Sequence, residues 1–504
     1  MLFPTEDFLL IFLPVVLAVY YGIHFFTHSI TAKNVWLLIA SIIFYAWGEP
    51  VYVFLMLASI LFNYCMALAI DRRSSDGHGR TGRALLTLTV AVNLLVLFWF
   101  KYAKAVLRGS PMSSLTDNIV LPIGISFYTF QAMSYVIDVY RGKIRAEKNP
   151  LYTGLYISFF PQLIAGPIVR FRSMENAIKG RSESLAGFAG GAERFVRGLV
   201  KKVLIANRMA AVADAVWALV IDGKLQAGIS LAWLGAISYT LQIFFDFSGY
   251  SDMAIGLGAM FGFDLPENFD HPYISGSVTE FWRRWHITLS GWFKDYVYIP
   301  LGGSRVSKGR LIFNLFVVWL LTGIWHGGDL TFLIWGMIYF IVLTLEKMAG
   351  VRVYAGDEGP EDKSEDTGSA AVRILKNVPG HIYTCFVVVV AWVFFRADDL
   401  TDAWGYIRGM FPVLNESGVS GVGSFAPTGG CIAALAYLKQ NAVFYIAAVI
   451  LCMPVRSCLR ERAINAGIGR IFDAVYGVLL ALGLVLALTY IYNNAYSPFI
   501  YFNF

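Results

Sequence analysis

Two histidines in the middle of the chain combine a residue type and a setting suited to proton transfer. His286 lies within T-E-F-W-R-R-W-H-I-T-L-S, and His326 ends the apolar run L-I-F-N-L-F-V-V-W-L-L-T-G-I-W-H. An ionisable side chain at membrane depth is costly, so it indicates a functional site. A neutral imidazole in a low-dielectric cavity is the form that a general base requires. His326 is our first candidate, although a core histidine bonded to a neighbouring helix would give the same pattern.

The residues around His286 allow two interpretations. If the stretch is one continuous helix, Trp282, His286 and Ser290 share a face at i, i+4 spacing. Arg283 and Arg284 would then line a charged mouth that attracts an anionic ligand, such as the phosphates of a coenzyme. The alternative is an interfacial helix with a basic rim and an aromatic belt, which needs no ligand.

A third polar cluster ends another apolar run, in F-F-D-F-S-G-Y-S-D-M-A-I-G. Asp246 and Tyr250 are one helical turn apart, and Asp252 follows. These side chains could orient a histidine or receive a polar acceptor. They could equally hold helices together through buried hydrogen bonds, which is the role we favour.

No other motif adds a metal or a resident cofactor. The five cysteines are scattered at no metal-ligand spacing. The sequence also contains no H-E-x-x-H motif, no Gly-rich phosphate loop and no serine nucleophile elbow. We therefore predict no metal site and no permanently bound cofactor.

Composition indicates the elements that must position these residues. Of 504 residues, 57% are hydrophobic and 15% are charged, whereas soluble domains carry about 25% charged residues. The chain is therefore predicted to be an all-α polytopic membrane protein. Its lysines and arginines, with a formal net charge of +6, cluster between apolar runs, which indicates contact with anionic lipid and not with nucleic acid.

Apolar windows of membrane-spanning length predict about 11–13 transmembrane helices together with re-entrant or interfacial helices. The windows cover 8–23, 34–48, 51–70, 84–100, 119–138, 227–247, 311–327, 330–346, 380–395, 431–453 and 471–492. The stretch 194–221 is a weaker window. Another weak window, 151–168, is interrupted by Pro161, Gly166 and Pro167, which favours a re-entrant element.

Loop charge predicts the orientation. The basic segments 71–83, 141–148 and 456–462 are expected in the cytoplasm, which places both termini on the outer side. Glu6 and Asp7 precede the first apolar run, so we expect a retained span and not a signal peptide. The predicted division is a core over 1–346, a flexible polar loop over 347–379 and additional transmembrane helices over 380–504.

Several long motifs resemble the membrane-bound O-acyltransferase family, and within it the bacterial alginate O-acetyltransferase branch. They are G-I-S-F-Y-T-F-Q-A-M-S-Y-V-I-D-V-Y-R-G (124–142), F-F-P-Q-L-I-A-G-P-I-V-R (159–170), F-D-F-S-G-Y-S-D-M-A-I-G (245–256), P-E-N-F (266–269), E-F-W-R-R-W-H-I-T-L-S (280–290), D-Y-V-Y-I-P-L-G-G (295–303) and L-T-G-I-W-H-G (321–327). The resemblance implies helices around a central funnel, through which an acyl group passes from a cytosolic thioester to an outer acceptor. It aligns His326 with the catalytic histidine and His286 with a second active-site position.

The resemblance also implies the substrates and partners. These are acetyl-CoA as donor, an extracellular or cell-wall polysaccharide as acceptor, and a separate outer-surface acyltransferase of the SGNH type, all at the bacterial cytoplasmic membrane. The tail F-I-Y-F-N-F (499–504) resembles a C-terminal motif of these enzymes. Tyr501 could therefore carry the acyl group as a relay nucleophile, or it could be an aromatic interfacial anchor.

Our sequence-based hypothesis is an O-acetyltransferase in which His326 is the general base and His286 positions the reacting carbonyl. Arg283 and Arg284 would help to hold CoA. Two alternatives remain open. One is a transporter of polysaccharide or lipid-linked glycan without acyl chemistry, and the other is a D-alanyl transferase that takes its acyl group from a carrier protein.

Overall fold

The computed structural model describes most of the chain as helices joined by short connections. The described residues are 1–74, 79–107, 110, 112–116, 119–221, 228–351, 378–411 and 429–493. Within these ranges there is no strand, and one antiparallel bridge joins Phe269 to Trp285. Tyr501 and most of the predicted polar loop 347–379 lie outside the described residues.

The helices are numbered here in chain order. They are α1 Asp7–Thr27, α2 Ile30–Gly48, α3 Tyr52–Ser74, α4 Arg80–Leu107, α5 Ile125–Tyr140, α6 Pro150–Ser158, α7 Phe160–Leu163, α8 Phe171–Gly180, α9 Leu185–Ile221, α10 Ile229–Met260, α11 Val278–Arg284, α12 Ile287–Phe293, α13 Lys308–His326, α14 Leu330–Met348, α15 Val378–Arg396, α16 Leu400–Met410, α17 Gly429–Gln440, α18 Ala442–Cys452, α19 Val455–Asn465 and α20 Gly469–Tyr492. Short 3-10 turns cover Ser113–Leu115 and Pro272–Ile274, and a π-helical turn, Lys294–Tyr298, extends α12.

The prediction of an all-α polytopic membrane protein is confirmed. Ten helices within the described ranges are long and apolar enough to cross a membrane, and the bent pair α17 and α18 brings the number to as many as 11. The weak window 194–221 belongs to α9, which is 37 residues long. The window 151–168 is interrupted as expected, because an extended residue, Phe159, separates α6 from α7.

Two predicted spans differ from the structure. The window 119–138 yields only the 16-residue helix α5, nearly all of whose residues are buried. The helix begins only at Ile125, because the preceding Gly124 has a left-handed backbone, at φ +75°, that cannot continue a helix towards residue 119. The window 431–453 is not one straight span, since α17 and α18 meet at Asn441 with a bend of 72°.

Glycines bring α9 and α10 into direct backbone contact. A Cβ atom added to Gly198 would lie 2.5 Å from the carbonyl oxygen of Gly249, and one added to Gly256 would lie 2.5 Å from that of Gly191. Small residues at a helix interface permit such a close approach. The result is that cationic side chains of α9 reach the carboxylates of α10.

The hairpin of α13 and α14 is packed in the same way. A Cβ on Gly323 would lie 2.7 Å from the carbonyl oxygen of Phe332, and one on Gly336 would lie 2.6 Å from that of Trp319. The small residues near His326 therefore serve the packing of a neighbouring helix. They fix the end of α13, where His326 lies.

Candidate active site

The backbone at His286 is left-handed, with φ 45° and ψ 51°. The condition of one continuous helix is therefore not met: α11 ends at Arg284, α12 begins at Ile287, and Trp282, His286 and Ser290 do not form one helical face. The cause is a long-range pairing, since Ile287 N–H donates to the carbonyl oxygen of Asn268 at 3.0 Å. Such strained conformations cost on the order of 1–3 kcal/mol and occur often at active sites.

Asn268 also holds the His286 side chain. The Nδ1 atom of His286 lies 3.1 Å from Oδ1 of Asn268, and the same oxygen accepts bonds from the backbone N–H of Thr288 at 3.2 Å and from its hydroxyl at 2.9 Å. A carbonyl oxygen only accepts, so Nδ1 is the donor and a neutral ring has its lone pair on Nε2. His286 lies in none of the candidate spans, and burial lowers its pKa to about 3. The ring is thus held neutral in one tautomer.

Our sequence analysis did not single out Asn268 as a functional residue. A neutral amide in a connection between helices has no periodicity or charge to distinguish it. The available signal was the motif P-E-N-F, in which Asn268 is the third residue. Only the folded chain shows that this amide bonds a histidine 18 positions later.

The ring of Trp325 contacts both histidines. Its centroid lies 6.1 Å from that of His286 and 4.8 Å from that of His326, with edge-on geometry in both pairs. His286 packs further against Phe247, with centroids 4.7 Å apart, and is 1% exposed. The structure therefore brings the two predicted catalytic residues into one site.

His326 lies in an aromatic enclosure at the end of α13. The edge-on rings of Trp335 and Phe395 are each 5.0 Å from it, centroid to centroid, and the residue is 7% exposed. Trp335 belongs to α14, whereas Phe395 belongs to α15, beyond the predicted core of 1–346. The aromatic residues exclude water, which strengthens electrostatic interactions at the imidazole.

The two arginines of the predicted mouth have different surroundings. Arg284 is bound at 2.9 Å by Glu280 and at 2.9 Å by Asp270. Arg283 is exposed. Because two carboxylates already neutralise Arg284, Arg283 is the better placed of the pair to meet an anionic ligand.

The polar cluster of α10 makes ion pairs with α9. Asp246 and Lys202 are 2.5 Å apart and both nearly fully buried, while Asp252 binds Lys201 at 2.8 Å and Arg194 at 2.9 Å. These bonds correspond to the helix-joining role that we favoured for the cluster. The hydrogen bond that orients His286 comes from Asn268.

Tyr250, the third member of the cluster, packs into the core. Its ring stacks on that of Phe3, with centroids 4.5 Å apart. It therefore joins α10 to the segment that precedes α1. This contact is structural and does not involve the two histidines.

Comparison with known proteins identifies the family. A family model described as MBOAT, membrane-bound O-acyltransferase family, matches residues 75–355. The chain belongs to this family. It is therefore an O-acyltransferase, and the family match spans α11 to α14 with both histidines.

The relatives of this chain differ in how much of it they match. The "Probable alginate O-acetylase AlgI" of Pseudomonas aeruginosa is 42% identical over 419 residues, which are 82% of this chain and 75% of the relative. The peptidoglycan O-acetyltransferase of Helicobacter pylori is 35% identical over 81% of this chain and 80% of its own length. The teichoic acid D-alanyltransferase of Bacillus subtilis is 29% identical over 45% of this chain and 59% of its own length.

Proposed function

We propose that this protein O-acetylates a polysaccharide, using acetyl-CoA from the cytosolic side of a bacterial cytoplasmic membrane. The single observation that carries the proposal is the joining of His286 and His326 through Trp325. This arrangement places two imidazoles in a water-poor enclosure, and one of them is neutral because it is buried and is fixed in one tautomer by an amide. General base catalysis of acyl transfer requires such a neutral imidazole near the attacking hydroxyl.

In the proposed reaction, a hydroxyl group gives its proton to the imidazole of His326 as its oxygen attacks the thioester carbon. The carbon–sulfur bond then breaks, and the departing CoA thiolate takes the proton from the imidazolium. His286, oriented by Asn268, accepts a hydrogen bond at Nε2 from a donor group of a bound substrate and so helps to hold that substrate in position. The products are an acetyl ester and free CoA, so every proton is accounted for.

The polysaccharide acceptor is supported by the relatives. Two relatives that match more than 80% of this chain have names that specify O-acetylation, one of alginate and one of peptidoglycan. The D-alanyltransferase likeness covers less than half of the chain, so acetyl transfer is favoured over D-alanyl transfer. Family membership removes the support for a transporter without acyl chemistry.

The orientation in the membrane remains our inference from charge. The basic segments 71–83, 141–148 and 456–462 support a cytosolic position for those connections. Arg283 would meet the phosphates of acetyl-CoA on that side. Both termini would then face outwards, where an SGNH-type acyltransferase could take up the acetyl group.

Tyr501 is proposed as an acyl relay on the outer side. In that version its phenol is the attacking hydroxyl, and the tyrosyl ester passes its acetyl group to the polysaccharide or to the partner enzyme. Tyr501 lies outside the described residues, so this step rests on the sequence motif alone.

The test is transfer by the purified full-length protein in proteoliposomes. We expect acetyl-CoA to raise the thermal unfolding midpoint, since a ligand that binds only the folded state stabilises it, and labelled acetyl-CoA to yield labelled ester. Stabilisation by an aminoacyl carrier protein but not by acetyl-CoA would overturn the proposal in favour of D-alanyl transfer. A labelled tail peptide in the wild type that is absent from Tyr501→Phe would support the relay.

A further inference from the structure

Two consecutive side chains of α4 bind the last turn of α13. The Lys101 ammonium donates a hydrogen bond to the carbonyl oxygen of Trp325, and the Tyr102 hydroxyl donates one to that of Ile324. Carbonyl groups in the last turn of a helix lack partners within that helix. Lys101 and Tyr102 therefore cap the end of α13, next to His326.

A neutral donor is sufficient for such a cap, as Tyr102 shows at the adjacent carbonyl. Lys101 brings an ionisable amine into a membrane-length helix, and no carboxylate in the described part of the chain lies within ion-pair distance of it. An ionisable group in this position is costly, and that cost indicates a function. The cap alone therefore does not account for a lysine.

The Lys101 amine lies beside the proposed active site. The Lys101 Nζ atom lies 5.4 Å from the centroid of Trp325, the ring that contacts both histidines. A fixed cation in a water-poor site stabilises negative charge that develops during a reaction much more strongly than it would in water.

We propose that Lys101 is a further catalytic residue, whose ammonium stabilises the oxyanion formed when a hydroxyl attacks the thioester. The attacking oxygen bonds to the carbonyl carbon, its proton passes to His326, and the carbonyl oxygen becomes negative beside Lys101. Collapse of this intermediate restores the carbonyl and expels the thiolate, which takes the proton from His326. The inference rests on the proposed acyl transfer and assigns a residue to its charged intermediate.

The experiment compares Lys101→Met, Lys101→Arg and the matched control Tyr102→Phe in the full-length protein. Loss of one oxyanion-stabilising group lowers kcat by about 100- to 1,000-fold, and we expect that loss in Lys101→Met with the KM for acetyl-CoA little changed. Lys101→Arg keeps the charge and should recover most of the activity. Tyr102→Phe removes a cap without removing a charge and should stay close to wild type.

A merely structural role predicts a different pattern. The inference is overturned if Lys101→Met loses no more activity than Tyr102→Phe, or if Lys101→Arg is as inactive as Lys101→Met while its thermal unfolding midpoint equals that of the wild type. The activity of each variant relative to the wild type is also measured in intact cells, as the acetyl ester that can be released from the polysaccharide. This relative activity does not depend on which thioester is the donor. Failure of acetyl-CoA as donor would thus overturn the proposed function separately from the role of Lys101.

Discussion

The Oδ1 atom of Asn268 and the Nδ1 atom of His286 are joined by a hydrogen bond of 3.1 Å between two buried side chains. This bond determines which nitrogen of His286 faces the reacting groups. Partners that orient a histidine in this way are worth about 10- to 100-fold in metal-site activity, and a similar effect is expected here.

We therefore predict that Asn268→Ala lowers kcat about 10- to 100-fold with a smaller change in KM. The control is Thr288→Val, because the Thr288 hydroxyl donates to the same oxygen at 2.9 Å without touching the imidazole. Steady-state acetyl transfer by the two purified variants is the measurement. Equal activity of Asn268→Ala and Thr288→Val would contradict the orienting role.

The left-handed backbone of His286 allows its side chain to be removed without added strain. Glycine adopts φ +45° freely, whereas alanine does not. We predict that His286→Gly and His286→Ala both lose acetyl transfer, and that the alanine variant is less stable by about 1 kcal/mol. Chemical denaturation in detergent measures the difference. An active His286→Gly protein would exclude a catalytic role for this imidazole.

The two arginines of α11 should respond differently to substitution. Arg283 is exposed, so Arg283→Ala should raise the KM for acetyl-CoA, and the effect should shrink at high salt. Arg284→Ala leaves Glu280 and Asp270 without their cation, so its main effect should be on stability. KM values across a salt series and unfolding midpoints distinguish the two. A raised KM in Arg284→Ala together with a lowered unfolding midpoint in Arg283→Ala would show that Arg284, and not Arg283, binds acetyl-CoA.

The buried pair of Lys202 and Asp246 should be important for stability. Removing one partner of a buried ion pair leaves an uncompensated charge, at a cost of about 3–5 kcal/mol. Lys202→Met should therefore destabilise the protein strongly. The adjacent Lys201→Met should cost less, because Asp252 retains Arg194. Unfolding in detergent measures the stability of both variants. Equal losses of stability in Lys202→Met and Lys201→Met would contradict the special importance of the buried pair.

Hydropathy was sufficient to predict most of the spans and the end of the helix at His326. A membrane-length apolar run followed by a glycine pair is typical of a spanning helix that ends at the glycines, as Lys308–His326 does. The same reasoning failed at 119–138, because burial inside the protein and burial in lipid require the same apolar residues. Helix α5 satisfies that pattern with 16 residues.

The interruption at His286 could not be predicted from local sequence. The stretch from Thr279 to Ser290 contains no proline or glycine that would end a helix, and the competing interaction is the pairing of Ile287 with Asn268. The same limit applies to Trp325, whose aromatic side chain is typical of any membrane helix, and to Lys101, which was not among the site residues predicted from the sequence. Contacts between residues far apart in sequence define this site.

The central claim is that His326 is the general base of acyl transfer, and the most direct measurement is acetyl transfer from labelled acetyl-CoA by His326→Ala. We predict that its turnover falls about 100- to 10,000-fold, the range of general base catalysis, while acetyl-CoA still raises the unfolding midpoint as in the wild type. Transfer by His326→Ala at the wild-type rate would contradict the account.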